Sequence, residues 1–238
     1  MRRVLVHAFP ASRPAALVLV DVAERALATF VGDEIRGAVE RLAAYDTIAA
    51  IEVRTLLRAL RFEPGDRRLG ELGPPQKTKT INKSGRTLKI TTSLLVQGSC
   101  GIRRPFGDEK KMRAYLAGGE LTKLRRRLEA DAKSLYAIYQ YGRVHGTVRL
   151  RWGFLDERLP APWVHGDEVT LYQLMNQSRQ RGVPLEVVVG TAPGWADPWS
   201  RAQVAHVEKE GRQSWLVDDH GYQIHTDEIQ LARLSGAG

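Results

Sequence analysis

The chain has 238 residues, 43% of them apolar and 26% charged, with a formal net charge of +9. That balance suits a globular protein with a sizeable core and excludes a compositionally disordered chain. A single cysteine, Cys100, excludes an internal disulfide framework and a cysteine-rich zinc site.

The opening stretch MRRVLVHAFPASRPAALVLVDVAERA imitates a signal peptide, but His7, Pro10, Arg13 and Pro14 interrupt its apolar run. No segment approaches the roughly 18 uninterrupted apolar residues of a membrane span. A soluble, cytoplasmic protein with no membrane partner is expected. Residues 4–9 and 17–22 are β-branched runs joined by a Pro-containing segment and read as two strands. From 33 to 60, apolar residues recur at three- and four-residue spacing, which predicts two helices with Asp46 as the N-cap of the second. Residues 62–76 are rich in Pro and Gly and predict a boundary, so 1–62 is expected to form an N-terminal α/β region.

Beyond that boundary the charge changes character. Residues 77–151 carry 18 Lys and Arg against 5 Asp and Glu, a net of +13, and the rest of the chain is net negative. Concentrated positive charge of this kind most often serves a polyanion, because neutralised phosphates release condensed counterions. The stretch KTKTINKSGRTLKITTSLLV predicts a β-hairpin turning at Ser84-Gly85, with Lys77, Lys79 and Lys83 on one strand and Arg86 and Lys89 on the other. Such a ribbon can lie along a nucleic-acid backbone; its ordinary alternative is a sheet edge guarded by lysines. A Gly-rich loop then carries Arg103 and Arg104, with Cys100 at its start read as a structural thiol.

Leu121, Leu124, Leu128, Ala132 and Leu135 form a stripe that predicts a helix over 120–141, ended by Gly142. Lys123, Arg125, Arg126 and Arg127 occupy its other faces. Residues 144–152 alternate as a strand, placing Arg149 and Arg151 on one face. Around this junction Tyr141, Arg143, His145 and Trp152 bring cations and aromatic rings together, the combination used for phosphate pairing and base stacking on single strands. The basic region is accordingly expected to span 77–154.

The segment LDERLPAPWVHGD predicts a second boundary, followed over 167–238 by a helix near 169–181 with Asp167 as N-cap and Gly182 beyond its end. The final forty residues show short strands separated by tight turns and predict a small SH3-like sheet or barrel. Asp218, Asp219, His220, His225, Asp227 and Glu228 are the densest group of metal-ligand types, and Asp-Asp-His-Gly is equally a hairpin turn.

The expected fold class is thus α+β: a mixed N-terminal α/β region, a central basic β-hairpin plus arginine-rich helix, and a small C-terminal SH3-like β module. No phosphate loop, GxGxxG, HExxH, GxSxG or zinc-finger spacing occurs, and no cofactor or metal is called for. The expected function is nucleic-acid binding, RNA favoured over DNA, through Lys77, Lys79, Lys83, Arg86, Lys89, Arg103, Arg104, Lys123, Arg125, Arg126, Arg127, Tyr141, Arg143, Arg149 and Arg151. One alternative is a metal-independent endoribonuclease acting on a structured RNA such as a CRISPR guide precursor. The chain is similar to the small basic nucleases of that process in size, charge and chemistry. Here His145 with Tyr141 or Arg143 would supply the base, the acid and the cation, and His7 or lysine residues would join through the fold. The other is a structural subunit of a ribonucleoprotein or DNA complex, with protein partners on the acidic C-terminal portion.

Overall fold

The computed structural model describes residues 1–80, 85, 87–166, 169–189, 199–207 and 214–236. The chain is mixed α+β with six α-helices and several sheets among the described residues.

The first strands, β1 (Arg3–Phe9), β2 (Ala16–Asp21) and β3 (Ala26–Val31), form an antiparallel meander. Helix α1 (Ile35–Leu42) leads to β4 (Thr47–Ala50), and helix α2 (Val53–Ala59) leads to β5 (Arg68–Glu71). β4 lies parallel to both β1 and β5, so the sheet order is β3-β2-β1-β4-β5. Two expectations change here. Asp46 caps no helix, because Thr47, Ile48, Ala49 and Ala50 are buried between two strands, and its carboxylate instead accepts a hydrogen bond from the Arg2 N–H at 2.6 Å. The boundary expected over 62–76 contains β5, the sheet's last strand. The cap of α2 comes from that strand: the Glu71 carboxylate accepts hydrogen bonds from the N–H groups of Glu52 and Val53, at 2.8 and 3.2 Å.

The period-2 alternation of β1 sorts its side chains. Val4, Val6 and Ala8 face α1 and α2 in one core, with Ala38, Leu42, Val53, Leu56 and Leu57. Leu5 and Phe9 face the other way, into a larger core with Leu124, Leu128, Ala132 and Leu135. His7 lies between them on that second face.

The strand pair β6 (Thr78–Thr80) and β7 (Thr87–Lys89) is antiparallel, with Thr78 opposite Lys89. Lys83, Ser84 and Arg86 lie outside the described residues. The run TTSLLVQGSC is helix α3 (Thr92–Cys100), where a strand was expected up to residue 96. The Thr91 hydroxyl caps it, accepting from the Leu94 N–H at 3.3 Å. A Cβ on Gly98 would lie 2.3 Å from the Arg149 carbonyl oxygen, so glycine is what lets α3 approach the next strand pair so closely.

Helix α4 (Glu109–Ala117) is capped by Asp108, and helix α5 (Leu121–His145) runs 25 residues. Gly142 does not end α5. The Trp163 ring lies where a Cβ on Gly142 would stand, 2.5 Å away, and the helix continues to Gly146 at φ +69. Residues 144 and 145 are therefore helical, and strand β8 (Thr147–Trp152) begins after them. β8 pairs with β9 (Leu155–Pro160), which occupies the expected second boundary. Residues from Leu5 to Trp163 thus share one core across the expected boundary at 62–76.

Helix α6 (Leu171–Arg181) is capped by Thr170 and Gln173 and closes at Gly182, φ +64. Asp167, expected as its cap, lies outside the described residues. Strands β10 (Leu185–Val189), β11 (Ser200–His206), β12 (Trp215–Asp218), β13 (Gln223–His225) and β14 (Ile229–Leu234) form an antiparallel sheet in the order β13-β12-β11-β10-β14. Its core includes Val144 of α5. Among the described residues no helix is long and apolar enough to cross a membrane.

Candidate functional site

The parallel strands β1 and β4 lie side by side, with their carboxyl ends at Phe9 and Ala50. A cavity of about 370 Å³ opens there, lined among others by His7, Phe9, Phe106, Met112, Arg113 and Asp131. Asp131 is 2% exposed and comes from α5. Its Oδ1 accepts a hydrogen bond from the Gly107 N–H at 3.0 Å and lies 2.7 Å from an Arg127 guanidinium nitrogen. Its Oδ2 lies 3.5 Å from His7 Nε2, which forms no hydrogen bond. A Cβ on Gly107 would lie 2.6 Å from Met112 Sδ and 2.7 Å from Arg127 Nε, so glycine allows the loop to reach Asp131. His7 thus places an imidazole, a group suited to proton transfer, beside a buried carboxylate without a hydrogen bond between them.

The basic residues are dispersed by the fold. Lys79 pairs with Glu157, and Lys123 with Glu120. Arg125 donates to the Thr29 carbonyl at 2.8 Å and pairs with Glu34 at 2.8 Å. Arg149 is held twice, by Asp156 and by Asp227, each at 2.7 Å. Arg151 reaches Asp156 at 3.2 Å. The hydrogen bond from Arg149, ahead of that from Arg151, holds the Asp156 carboxyl down to about 2. Arg143 donates to Gln140 at 3.0 Å and lies over the Tyr139 ring. Lys83 and Arg86 lie outside the described residues.

Lys77, Lys89, Arg103, Arg104 and Arg126 remain exposed, with no ion pair among the described residues. Lys110 and Lys111 of α4, which the sequence did not single out, share that condition. Arg103, Arg104, Lys110 and Lys111 stand on the loop and helix that frame the His7–Asp131 cavity, and the Arg104 carbonyl accepts from Arg127 at 3.5 Å.

The placement of His145 and Tyr141 corrects their expected roles. The His145 Nε2 lies 2.8 Å from the Ile229 carbonyl oxygen, which only accepts, so that nitrogen carries a hydrogen and has no lone pair for a base. Burial above all, with Arg158 and Arg149 nearby, pushes His145 down to about 4, against the Ile229 bond and Asp227. Tyr141 is 2% exposed, its ring lies 4.1 Å from the His145 ring at a tilt of 36°, and burial pushes it up to about 12. His145 thereby joins α5 to β14, and the buried Tyr141 ring packs against it. Asp218, from the acidic C-terminal group, organises a turn: its Oδ1 accepts from the N–H groups of His220 and Tyr222 at 2.9 and 2.8 Å.

His7 and Asp131 each carried a signal. His7 is the one polar side chain within VLVHAF, and Asp131 adjoins the apolar stripe of a strongly amphipathic helix. Their pairing depends on which face of β1 meets α5. No family model matches this chain, and no curated protein matches it.

Proposed function

We propose that the protein binds nucleic acid, RNA in preference to DNA, along the cationic rim of the cavity between β1 and β4. The supporting observation is that Arg103, Arg104, Lys110 and Lys111 are exposed and without ion pairs among the described residues, on the elements that frame this cavity. Cations left without carboxylate partners are the ones available to replace counterions on a phosphate backbone. The β6–β7 pair extends the surface as a basic hairpin through Lys77 and Lys89. On this reading the C-terminal sheet is a small SH3-like module open to protein partners, and the protein acts in the cytoplasm.

The test is fluorescence anisotropy with a labelled 20-nucleotide RNA between 50 and 200 mM salt. If about five phosphates are neutralised on a single strand, affinity falls roughly 100-fold over that range. Unchanged binding across it rejects the reading.

A second reading, metal-independent RNA cleavage, moves from His145 to His7. The Asp131 carboxylate behind the His7 imidazole favours it. His7 would take the proton of a 2′-hydroxyl, O2′ would attack phosphorus, and the departing 5′ oxygen would take a proton from water, leaving a cyclic phosphate. Cleavage in EDTA that disappears in His7→Ala supports this reading, and intact RNA after long incubation removes it.

A further inference from the structure

The tip of the β8–β9 pair carries two large aromatic side chains that the fold does not use. Along β8, Val148 and Leu150 are fully buried, and the period of two places Trp152 on their face. Trp152 is nevertheless 50% exposed, because the strand pair outruns the core by its last residues. Trp152 pairs with Leu155 across a two-residue turn, Gly153-Phe154. Gly153 has φ +56, as tight turns require, but Phe154 is no turn former and is fully exposed at 111%. A Phe in this position loses the apolar burial that normally justifies an aromatic ring.

The electrostatic surroundings limit what can cover it. Arg151, 57% exposed, precedes Trp152 and is held by one contact, to Asp156 at 3.2 Å. The Lys79–Glu157 ion pair ties the β6–β7 pair to β9. Exposed rings with a half-exposed guanidinium next in the chain match unpaired bases on a phosphate backbone. Base-on-ring stacking with cationic support is how sequence-tolerant single-strand binding works. A duplex keeps its bases stacked internally and gains nothing from such rings.

We propose that Trp152 and Phe154 at the β8–β9 tip form a stacking platform for single-stranded RNA, with Arg151 on the adjoining phosphate. This rests on the nucleic-acid reading above and adds strandedness to it. It also predicts that the contact surface extends well beyond the cavity rim.

The experiment compares the full-length protein with Trp152→Ala/Phe154→Ala and with the conservative Trp152→Phe/Phe154→Tyr. Binding is measured by anisotropy on a 12-nucleotide single-stranded RNA and on a duplex RNA carrying the same number of phosphates. Both substitutions lie on the exposed tip, and unchanged thermal melting confirms the fold. The expected result is a loss of about 10- to 100-fold on the single strand for the alanine pair, near-complete retention for the aromatic pair, and no change on the duplex. The salt dependence should stay the same, since no phosphate contact is removed. Equal affinity of the alanine pair and the parent protein for the single strand overturns the platform while leaving the nucleic-acid reading intact. So does an equal loss on both RNAs. Failure of the parent protein to bind either RNA overturns both. If sedimentation shows self-association that the alanine pair abolishes, the tip joins copies of this chain and the platform is again rejected.

Discussion

Arg103 and Arg104, on the loop before α4, and Arg149 and Arg151, on β8, belong to one basic tract, yet the fold uses them differently. The first two are exposed and without ion pairs among the described residues. Arg149 is 15% exposed and sits between two carboxylates, and Arg151 shares one of them. The difference comes from acids outside the tract. Asp156 stands opposite Arg151 across the β8–β9 ladder, and Asp227 arrives from the turn before β14. Glu34 and Glu157 similarly neutralise Arg125 and Lys79. A local count of charge along the chain therefore overstates what a polyanion would meet. Arg149 joins β8 to Asp227 of the C-terminal portion, and Lys79 and Arg151 are bound to carboxylates of β9.

This contrast can be broken most directly at Asp227. Asp227→Ala leaves Arg149 and Arg158 without a shared carboxylate in a partly buried setting and should cost about 3 kcal/mol, measured by urea denaturation, with RNA affinity unchanged. A cost below about 0.5 kcal/mol would show that these arginines are as free as those of the loop. The pH dependence tests the same junction. Because the folded His145 is depressed to about 4 from its ordinary 6.5, the unfolded chain takes up its proton first as pH falls. Stability is therefore lost between about 6.5 and 4, on the order of 3 kcal/mol in full, and returns as pH rises. His145→Gln keeps an N–H donor for Ile229 and should flatten the fall in melting temperature between pH 7 and 4.5. An undiminished fall in that variant would place the pH dependence elsewhere.

The loop should respond in the opposite sense. Arg103→Glu/Arg104→Glu removes two phosphate contacts and should lower the salt slope of RNA binding by about 1.4 and the affinity by at least 10-fold. Its unfolding free energy should stay within about 0.5 kcal/mol of the parent. The smallest effect is expected at Lys123, which is exposed, pairs with Glu120 at the start of its own helix and lies over the Tyr115 ring at 5.7 Å. Lys123→Ala should shift stability by less than about 0.5 kcal/mol and leave RNA affinity within two- to threefold.

Local pattern made α5 visible, since Leu124, Leu128, Ala132 and Leu135 keep helical spacing throughout. Local pattern did not show α3, because the β-branched Thr91, Thr92 and Val96 favour strands, whereas the Thr91 cap, Leu94 and Leu95, and the packing of Gly98 against β8 favour the helix. β4 and β5 are four residues each, too short to display a period, and the pairing of β4 with β1 and of β5 with β4 is a tertiary fact. Gly142 looked like a helix terminator and is instead a seat for Trp163, more than twenty residues later in the chain. At the candidate site Arg103 and Arg104 were readable and Lys110 and Lys111 did not stand out, while Glu157, Glu34 and Asp227, which pair with Lys79, Arg125 and Arg149, come from distant parts of the chain. His7 stood out from its strand, whereas Asp131 gained meaning only when α5 was laid across β1.

Helix α5 is 25 residues long, about 37 Å, and belongs to two cores at once. Leu124 to Tyr141 form a wall of the core that contains Leu5 and Phe9, and Val144 enters the core of β10, β11, β12, β13 and β14. Heat cannot melt one sheet without withdrawing a wall from the other. Calorimetry should accordingly record a single endotherm for the intact chain. A polypeptide nicked between α5 and α6 should hold its two fragments together until both unfold.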